Sequence, residues 1–351
     1  MSRLLEVEGR RTYAEAGVSI AAGEAAVARF APSAAAASRP EVLEGLGGFA
    51  GLFALPARYR DPVLVASADG VGTKLEVARL AGRFDTVGID LVAMLVDDLV
   101  CTGAEPLFVL DYVAVGALDP ARVAEVVAGV AEGCRRAGAA LLGGETAEHG
   151  GVMKPDEIDL AGFAVGAVER DGRLGSDRVA EGDALVGLHS PNLRSNGFTL
   201  VREVLLADPG ALERPAYAGC AETLAEVLLS PSVIYAPGVL ALRESLGPAL
   251  HAAAHVTGGG IVGNVARLLP EGRRALIDLA AFPTPEVFFE IQRRGPVGPD
   301  EMVRVFNCGL GMVLALEPAH APAAVARLGA AGYPASVVGE VVAGERGVTL
   351  R

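Results

Sequence analysis

The sequence predicts a two-domain α/β (α+β) fold, and three features of its 351 residues carry that expectation. Short apolar runs that read as strands alternate with helical patterns. A turn-rich stretch, Glu169-Arg170-Asp171-Gly172-Arg173-Leu174-Gly175-Ser176-Asp177, divides the chain near its middle. Each half carries its own glycine-rich loops, which places a ligand between them. The expected units are residues 1–170 and 171–351.

The first half opens with a helix-like segment and an Ala-rich stretch, 31–38, that reads as a surface connector or loose helix. Pro62-Val63-Leu64-Val65-Ala66-Ser67 is a buried strand, an apolar run bounded by Pro and then Asp-Gly. Residues 74–80 are helical, and a long apolar helix over 87–102 stops at Gly103. A strand at 106–115 precedes a helix that opens on Asp119-Pro120, with Asp as cap and Pro in the first position, and runs to Ala137-Gly138. Strands follow at 139–142 and 159–168. The second half starts with a strand at 184–188. It then has helices near 197–207, 220–229, 232–245 and 259–269, and strands near 275–279, 311–316 and 335–342.

Composition narrows the function. Hydrophobic residues make up 51% and charged ones 21%, enough for a sizeable core. A net charge of −13 argues against nucleic-acid and anionic-membrane partners, which need basic surface. No apolar run approaches the ~20 residues of a membrane span. The opening Met1-Ser2-Arg3-Leu4-Leu5-Glu6-Val7-Glu8 has acids where a secretion signal has its apolar core, so a cytoplasmic location is expected. Cys101, Cys134, Cys220 and Cys308 show no metal or disulfide spacing and read as core residues.

Three constellations point to phosphate chemistry. Asp69-Gly70-Val71-Gly72-Thr73-Lys74 sits between a strand and a helix, where backbone N–H groups face an anion and glycines let it approach. It is not a Walker A loop. Lys74 and Lys154 are the only lysines among 30 basic residues, so a Lys in this turn suggests a need for a compact ammonium. Asp90, Asp97 and Asp98 lie in an apolar helix, where ionised carboxylates need a partner or a metal. Positions 90 and 97 share a face, with 98 about 100° round. Asp69 and Asp98 read as Mg²⁺ ligands; Asp90, Asp97 and Asp111 read equally as site acids or structural ones. Gly143-Gly144-Glu145-Thr146-Ala147-Glu148 fits a nucleotide contact or a capped turn, and Gly45-Leu46-Gly47-Gly48-Phe49-Ala50-Gly51 a phosphate flap or a hinge. In the second half, Thr257-Gly258-Gly259-Gly260 before a helix is another anion-binding candidate. His255 beside it reads equally as an acid/base or as a structural histidine.

Taken together with Gly88-Ile89-Asp90-Leu91-Val92-Ala93-Met94, Gly103-Ala104-Glu105-Pro106-Leu107-Phe108, Ser195-Asn196-Gly197 and Phe306-Asn307-Cys308-Gly309, these motifs resemble the phosphoribosylformylglycinamidine cyclo-ligase (aminoimidazole ribonucleotide synthetase) family, in order and from about Tyr13 onward. The resemblance implies a two-domain ATP-binding synthetase architecture. In it, N-terminal sheets pair into a barrel across a homodimer, and the C-terminal domain is α/β. It implies ATP-dependent closure of an imidazole ring in purine biosynthesis, with ATP and Mg²⁺ as cofactors and a small ribonucleotide as substrate. The implied site has Lys74, Asp69 and His255 as catalytic residues and Asp69, Asp98 and Asp97 at the metal. Gly70, Gly72, Thr73, Gly47, Gly48, Asp90, Gly143, Gly144, Glu145 and Thr146 would hold the nucleotide. Ser195, Asn196, Gly197, Thr257, Gly258, Gly259 and Asn307 would line the substrate side. Two positions depart from the family pattern: Asp97-Asp98 replaces its usual Asn-Asp, and His149-Gly150-Gly151-Val152-Met153 replaces Met-Pro-Gly-Met-Tyr.

The rivals are other enzymes of the superfamily. Selenide dikinase is disfavoured because no Cys lies near the N-terminus, and the hydrogenase-maturation dehydratase because the chain ends Val348-Thr349-Leu350-Arg351. Thiamine-phosphate kinase and a nucleotide-binding regulatory protein without turnover complete the alternatives.

Overall fold

The computed structural model describes residues 13, 15 and 17–351; the acid-bearing run Met1 to Glu8 lies outside them. The first half comprises α1 (Ile20–Ala36), β1 (Val42–Glu44), β2 (Leu52–Phe53), β3 (Pro62–Gly70), α2 (Lys74–Ala81), α3 (Val87–Cys101), β4 (Glu105–Val115), α4 (Pro120–Ala137), β5 (Ala140–Glu148) and β6 (Ile158–Glu169). Strands β3-β6-β4-β5 form a four-stranded sheet in that order, with β4 and β5 parallel and the other pairs antiparallel. Helices α3 and α4 cover one face. The opposite face is apolar and bare: Leu64 is 66% exposed and Phe163 53%.

Two short 3₁₀ turns, Arg170–Gly172 and Ser176–Arg178, lead into the second half. It contains β7 (Ala184–His189), α5 (Phe198–Leu205), α6 (Leu224–Leu229), α7 (Ala236–Leu246), β8 (Leu250–His255), α8 (Gly260–Val265), β9 (Arg273–Ile277), α9 (Glu286–Arg294), α10 (Pro299–Val305), β10 (Leu310–Leu316), α11 (Ala321–Ala330), β11 (Ala335–Ala343) and β12 (Gly347–Leu350). Its sheet runs β12-β9-β11-β7-β10-β8. Every residue of β10 is buried, as a strand between two antiparallel neighbours requires.

Local chemistry accounts for the elements that the sequence marks best. Asp119 caps α4 by accepting from Ala121 N–H at 2.9 Å, and Pro120 takes the first helical position. The structure also departs from expectation. The Gly143-Gly144-Glu145-Thr146-Ala147-Glu148 run is not a turn after a strand but the second half of β5, registered against residues 110–115 of β4. Gly144 is required there because a side chain would collide with the Asp111 carboxylate. Residues 31–36 belong to α1 despite Pro32, with Ala34 buried. β8 (Leu-His-Ala-Ala-Ala-His) was not expected as a strand: alanines favour helix locally, but pairing with β10 overrides that preference. Helices α9, α10 and α11 were likewise unmarked.

Candidate active site

Helix α3 is the spine of the site. It packs under the first sheet and also against β8 and α7 of the second half. Thirteen of its fifteen residues are buried, and the three acids meet three different surroundings.

Asp90 and Asp97 point into a dry junction between the halves, and neither is exposed at all. Asp90 Oδ1 accepts from Ser232 N–H at 2.8 Å and from the Ser232 hydroxyl at 2.5 Å. Its other oxygen lies 2.6 Å from the Lys74 ammonium. Lys74 donates in addition to the carbonyls of Arg194 and Ser230, both at 3.0 Å, so three oxygens surround its Nζ. Asp97 Oδ1 accepts from the Tyr235 and Ala236 N–H groups at 2.8 and 2.9 Å, at the start of α7, where a negative charge complements the helix dipole. Asp97 Oδ2 accepts from Arg194 at 2.9 Å. Burial pushes the Asp97 carboxyl up, and the Arg194 charge opposes that rise.

Arg194 joins this junction to the cleft above it. Its backbone has φ of +60°, a left-handed conformation that a non-glycine residue keeps only when its surroundings fix it. The guanidinium is fully buried over the Tyr235 ring, donates to Val233 O at 2.7 Å, and reaches His255 Nε2 at 2.9 Å. A guanidinium only donates, so His255 Nε2 is the acceptor. The proton is on Nδ1, which donates to Asp98 Oδ1 at 2.8 Å. This arrangement lets His255 orient the Asp98 carboxylate.

Asp98 itself is about half exposed, at 48% of its side chain. It lines a cavity of about 320 Å³ between the halves, together with Ser67, Thr102, His255, Asn264 and Arg267. Asp69, at the end of β3, lies close enough to feel the Asp98 charge. Burial raises its carboxyl above the ordinary range, Asp98 adds to that rise, and the Gly70 N–H and His255 oppose it. Across the mouth of the cleft the Thr73 and Thr199 hydroxyls meet at 3.1 Å. Asn196 lies beside Gly258, and Asn264 donates to the carbonyls of Thr257 and Gly260, which shapes the Thr257-Gly258-Gly259-Gly260 loop.

A second cavity, of about 610 Å³, lies against the bare face of the first sheet. Gly45 to Gly51 form one wall; Tyr112, Gly143, Gly144, Glu145 and Phe163 form the other. The two glycine motifs of the first half, 100 residues apart, thus share one cavity by virtue of β4 and β5 pairing.

The comparisons with known proteins fit this architecture. Residues 51–168 match the family described as AIR synthase related protein, N-terminal domain, and residues 180–350 match its C-terminal domain. The phosphoribosylformylglycinamidine cyclo-ligase of Anaeromyxobacter sp. (strain K) is 52% identical over 337 residues, 96% of this chain and 97% of that protein. The chain belongs to the phosphoribosylformylglycinamidine cyclo-ligase family. It has the mixed α/β two-domain fold of that family. The same fold is seen in the thiamine-monophosphate kinase of Stenotrophomonas maltophilia K279a (TM-score 0.66, 20% identity, 93% of this chain and 95% of that chain). It is also seen in the hydrogenase maturation protein HypE in complex with ATP (TM-score 0.64, 18% identity, 90% and 88%). At such identities the likeness is one of fold alone.

Set against what the cyclo-ligase resemblance implied, the geometry corrects four assignments. Lys74 does not offer its ammonium to a phosphate, because Asp90 and two carbonyls take it into the interior. Asp90, expected at the nucleotide, is the other half of that buried pair. Asp97, expected at the metal, has both oxygens committed to protein donors. Asn307 is buried and ties two loops together, donating to Asn192 O at 3.0 Å and accepting from Gly309 N–H at 2.8 Å. Ser195 is buried as well, whereas Gly197 is needed where it stands because a side chain would strike the Phe306 ring. Of the expected residues, Asp98 and His255 line the inter-domain cavity, Asp69 lies near enough for its carboxyl to feel the Asp98 charge, and the 257–259 loop is held by Asn264, which lines the same cavity. Gly47, Gly48, Gly143, Gly144 and Glu145 converge on the larger cavity; Gly70, Gly72 and Thr73 form the turn beside the cleft, and Thr146 follows in β5. Arg267 was not singled out by the sequence, and Arg194 was marked only as the start of the Arg194-Ser195-Asn196-Gly197-Phe198 run, with no role of its own. Nothing local distinguishes them from the other arginines, except that Arg267 falls three residues after Asn264, on the same side of the α8 segment.

Proposed function

We infer that the chain acts as its family does: it closes the imidazole ring of aminoimidazole ribonucleotide from formylglycinamidine ribonucleotide, using ATP and releasing ADP and phosphate, in purine biosynthesis. The observation that carries this reading is the match to cyclo-ligases over nearly the whole chain, 52% identical over 337 residues. The γ-phosphoryl group of ATP passes to the amide oxygen of the substrate and ADP leaves. The substrate nitrogen then attacks the same carbon, the C–O bond breaks, and phosphate departs with the oxygen. Such a transfer depends mostly on positioning and charge neutralisation.

The cleft's donors fit a magnesium ion. Mg²⁺ takes one or two carboxylates and fills the rest of its shell with water and phosphate oxygens. Asp69 and the Asp98 oxygen not engaged by His255 are neighbouring carboxylates that would hold it; Asp97 does not fit. Bound there, the ion neutralises phosphate charge. Asp98 is held in orientation by the His255 Nδ1–H, and His255 in turn by Arg194. The larger cavity between the 45–51 loop and β5 takes the base and ribose of ATP.

Two further readings accompany this one. The bare apolar face of the first sheet, with Leu64, Phe163 and Val165 on it, pairs with that of a second copy to close a barrel, giving a homodimer. Among the described residues no helix is long and apolar enough to cross a membrane, and a cytoplasmic enzyme accords with the reaction.

Purified protein with Mg-ATP and formylglycinamidine ribonucleotide tests the assignment by following ADP and aminoimidazole ribonucleotide together. Equimolar formation of both is expected. ADP without the imidazole, or no substrate-dependent ADP, overturns it.

A further inference from the structure

The correction at Lys74 leaves a deficit in the cleft. A ribonucleotide carries a phosphate monoester, which binds best to charged donors, and the two cations nearest the junction, Lys74 and Arg194, are both consumed by buried carboxylates. Nor does α8 supply a helix start of any strength, since it has only six residues. The inter-domain cavity nevertheless contains one further cation, Arg267, the one arginine or lysine among the described residues that line it. Arg267 is exposed and, among the described residues, makes no ion pair or hydrogen bond of its own. Its charge lies close enough to bear on the Cys101 thiol on the far wall. The 3₁₀ turn Ala266–Leu268 directly after α8 fixes its backbone, with Leu268 buried. Asn264, one turn earlier, lines the same cavity while holding the 257–260 loop.

A guanidinium beside this cavity, with no carboxylate of the described residues paired to it, is open to an anion. The triphosphate of ATP has the ion held by Asp69 and Asp98 to balance it; the substrate's monoester has no such partner. We propose that Arg267 anchors the phosphate monoester of the ribonucleotide substrate in the inter-domain cleft, a role that rests on the cyclo-ligase reading above. The guanidinium fork meets two phosphate oxygens at once, which fixes the ribose end while the formyl end faces Asp69 and Asp98.

The test compares wild type, Arg267→Gln and Arg267→Lys by titration with the product aminoimidazole ribonucleotide and with its dephosphorylated nucleoside, alongside steady-state kinetics. Arg267→Gln is expected to weaken ribonucleotide binding, and to raise its KM, by about 10- to 100-fold, the usual worth of a hydrogen-bonded charge pair. Nucleoside binding and the KM for ATP stay unchanged, and Arg267→Lys recovers part of the loss. Because the residue is exposed, all three proteins melt together. Ribonucleotide binding unaffected by Arg267→Gln, or an equal loss for the nucleoside, overturns the proposal. A wild type that forms no imidazole and binds neither compound fails the assigned reaction itself, and this role with it.

Discussion

Helix α3 presents its acids to two regions that differ in little but water. In the junction, Asp90 and Asp97 are wholly buried, and each is matched to a cation from elsewhere in the chain, Lys74 and Arg194. One residue further on, Asp98 stands half in solvent at the cleft, held by His255 and with its other oxygen unpaired among the described residues. The residue type is the same in all three cases; access decides the role. A carboxylate without water needs a full set of protein partners, and having them it has nothing left to offer a ligand. A carboxylate at the rim keeps a free lone pair and is open to a metal ion. The departure at Asp97 from the family's usual Asn thus belongs to the junction, where Arg194 is its counter-ion, and not to the metal site.

The contrast is most severely tested at Lys74. Lys74→Met leaves the Asp90 charge buried without its partner, and a loss of about 3 to 5 kcal/mol in urea unfolding is expected. A variant that unfolds like wild type yet fails to turn over would place the ammonium in the chemistry after all. Asp98→Asn is the mirror case. The amide oxygen still accepts from His255 Nδ1–H, so the melting temperature holds, while kcat/KM falls by about 10²- to 10³-fold, in line with other lost electrostatic groups; equal losses of stability and activity would erase the distinction between the two regions. Asp97→Asn keeps an acceptor for Tyr235 and Ala236 N–H but leaves Arg194 without its counter-charge. It should cost about 1 to 3 kcal/mol, with the magnesium dependence of turnover unchanged. A large shift in the magnesium requirement would return Asp97 to the metal.

The smallest effect concerns a third buried acid, Asp111, whose Oδ2 has no hydrogen-bond partner among the described residues and which burial pushes up to about 7. Here the folded pKa lies above the unfolded one. The folded state therefore binds the extra proton, and stability falls as pH rises from the ordinary aspartate range to about 7, with no further loss above it. Asp111→Asn should raise the melting temperature at pH 8, with the gain shrinking toward pH 5. A gain independent of pH would show that the carboxyl's ionisation is not the cause.

Much of the first half was legible because its signals are local. Asp119-Pro120 marks the start of α4, and the alternation of apolar runs and turn residues marks β3, β4 and β6. β8 was hidden because its alanines carry no strand preference, and only its place beside β10 makes it one. The same division runs through the site. The spacing of 90, 97 and 98 on one helix correctly separated the first two from the third, but not which face was dry.

The sequence by itself determined most elements of the first half, the family motifs and the set of acids in an apolar helix, since these depend on residue type and spacing. The tertiary structure alone decided that Lys74 and Asp97 are inside, that Arg194 links them to His255, and that Arg267 stands free in the cleft. Those outcomes depend on which groups the two halves bring within hydrogen-bond reach and which they leave in water, and no local pattern encodes that.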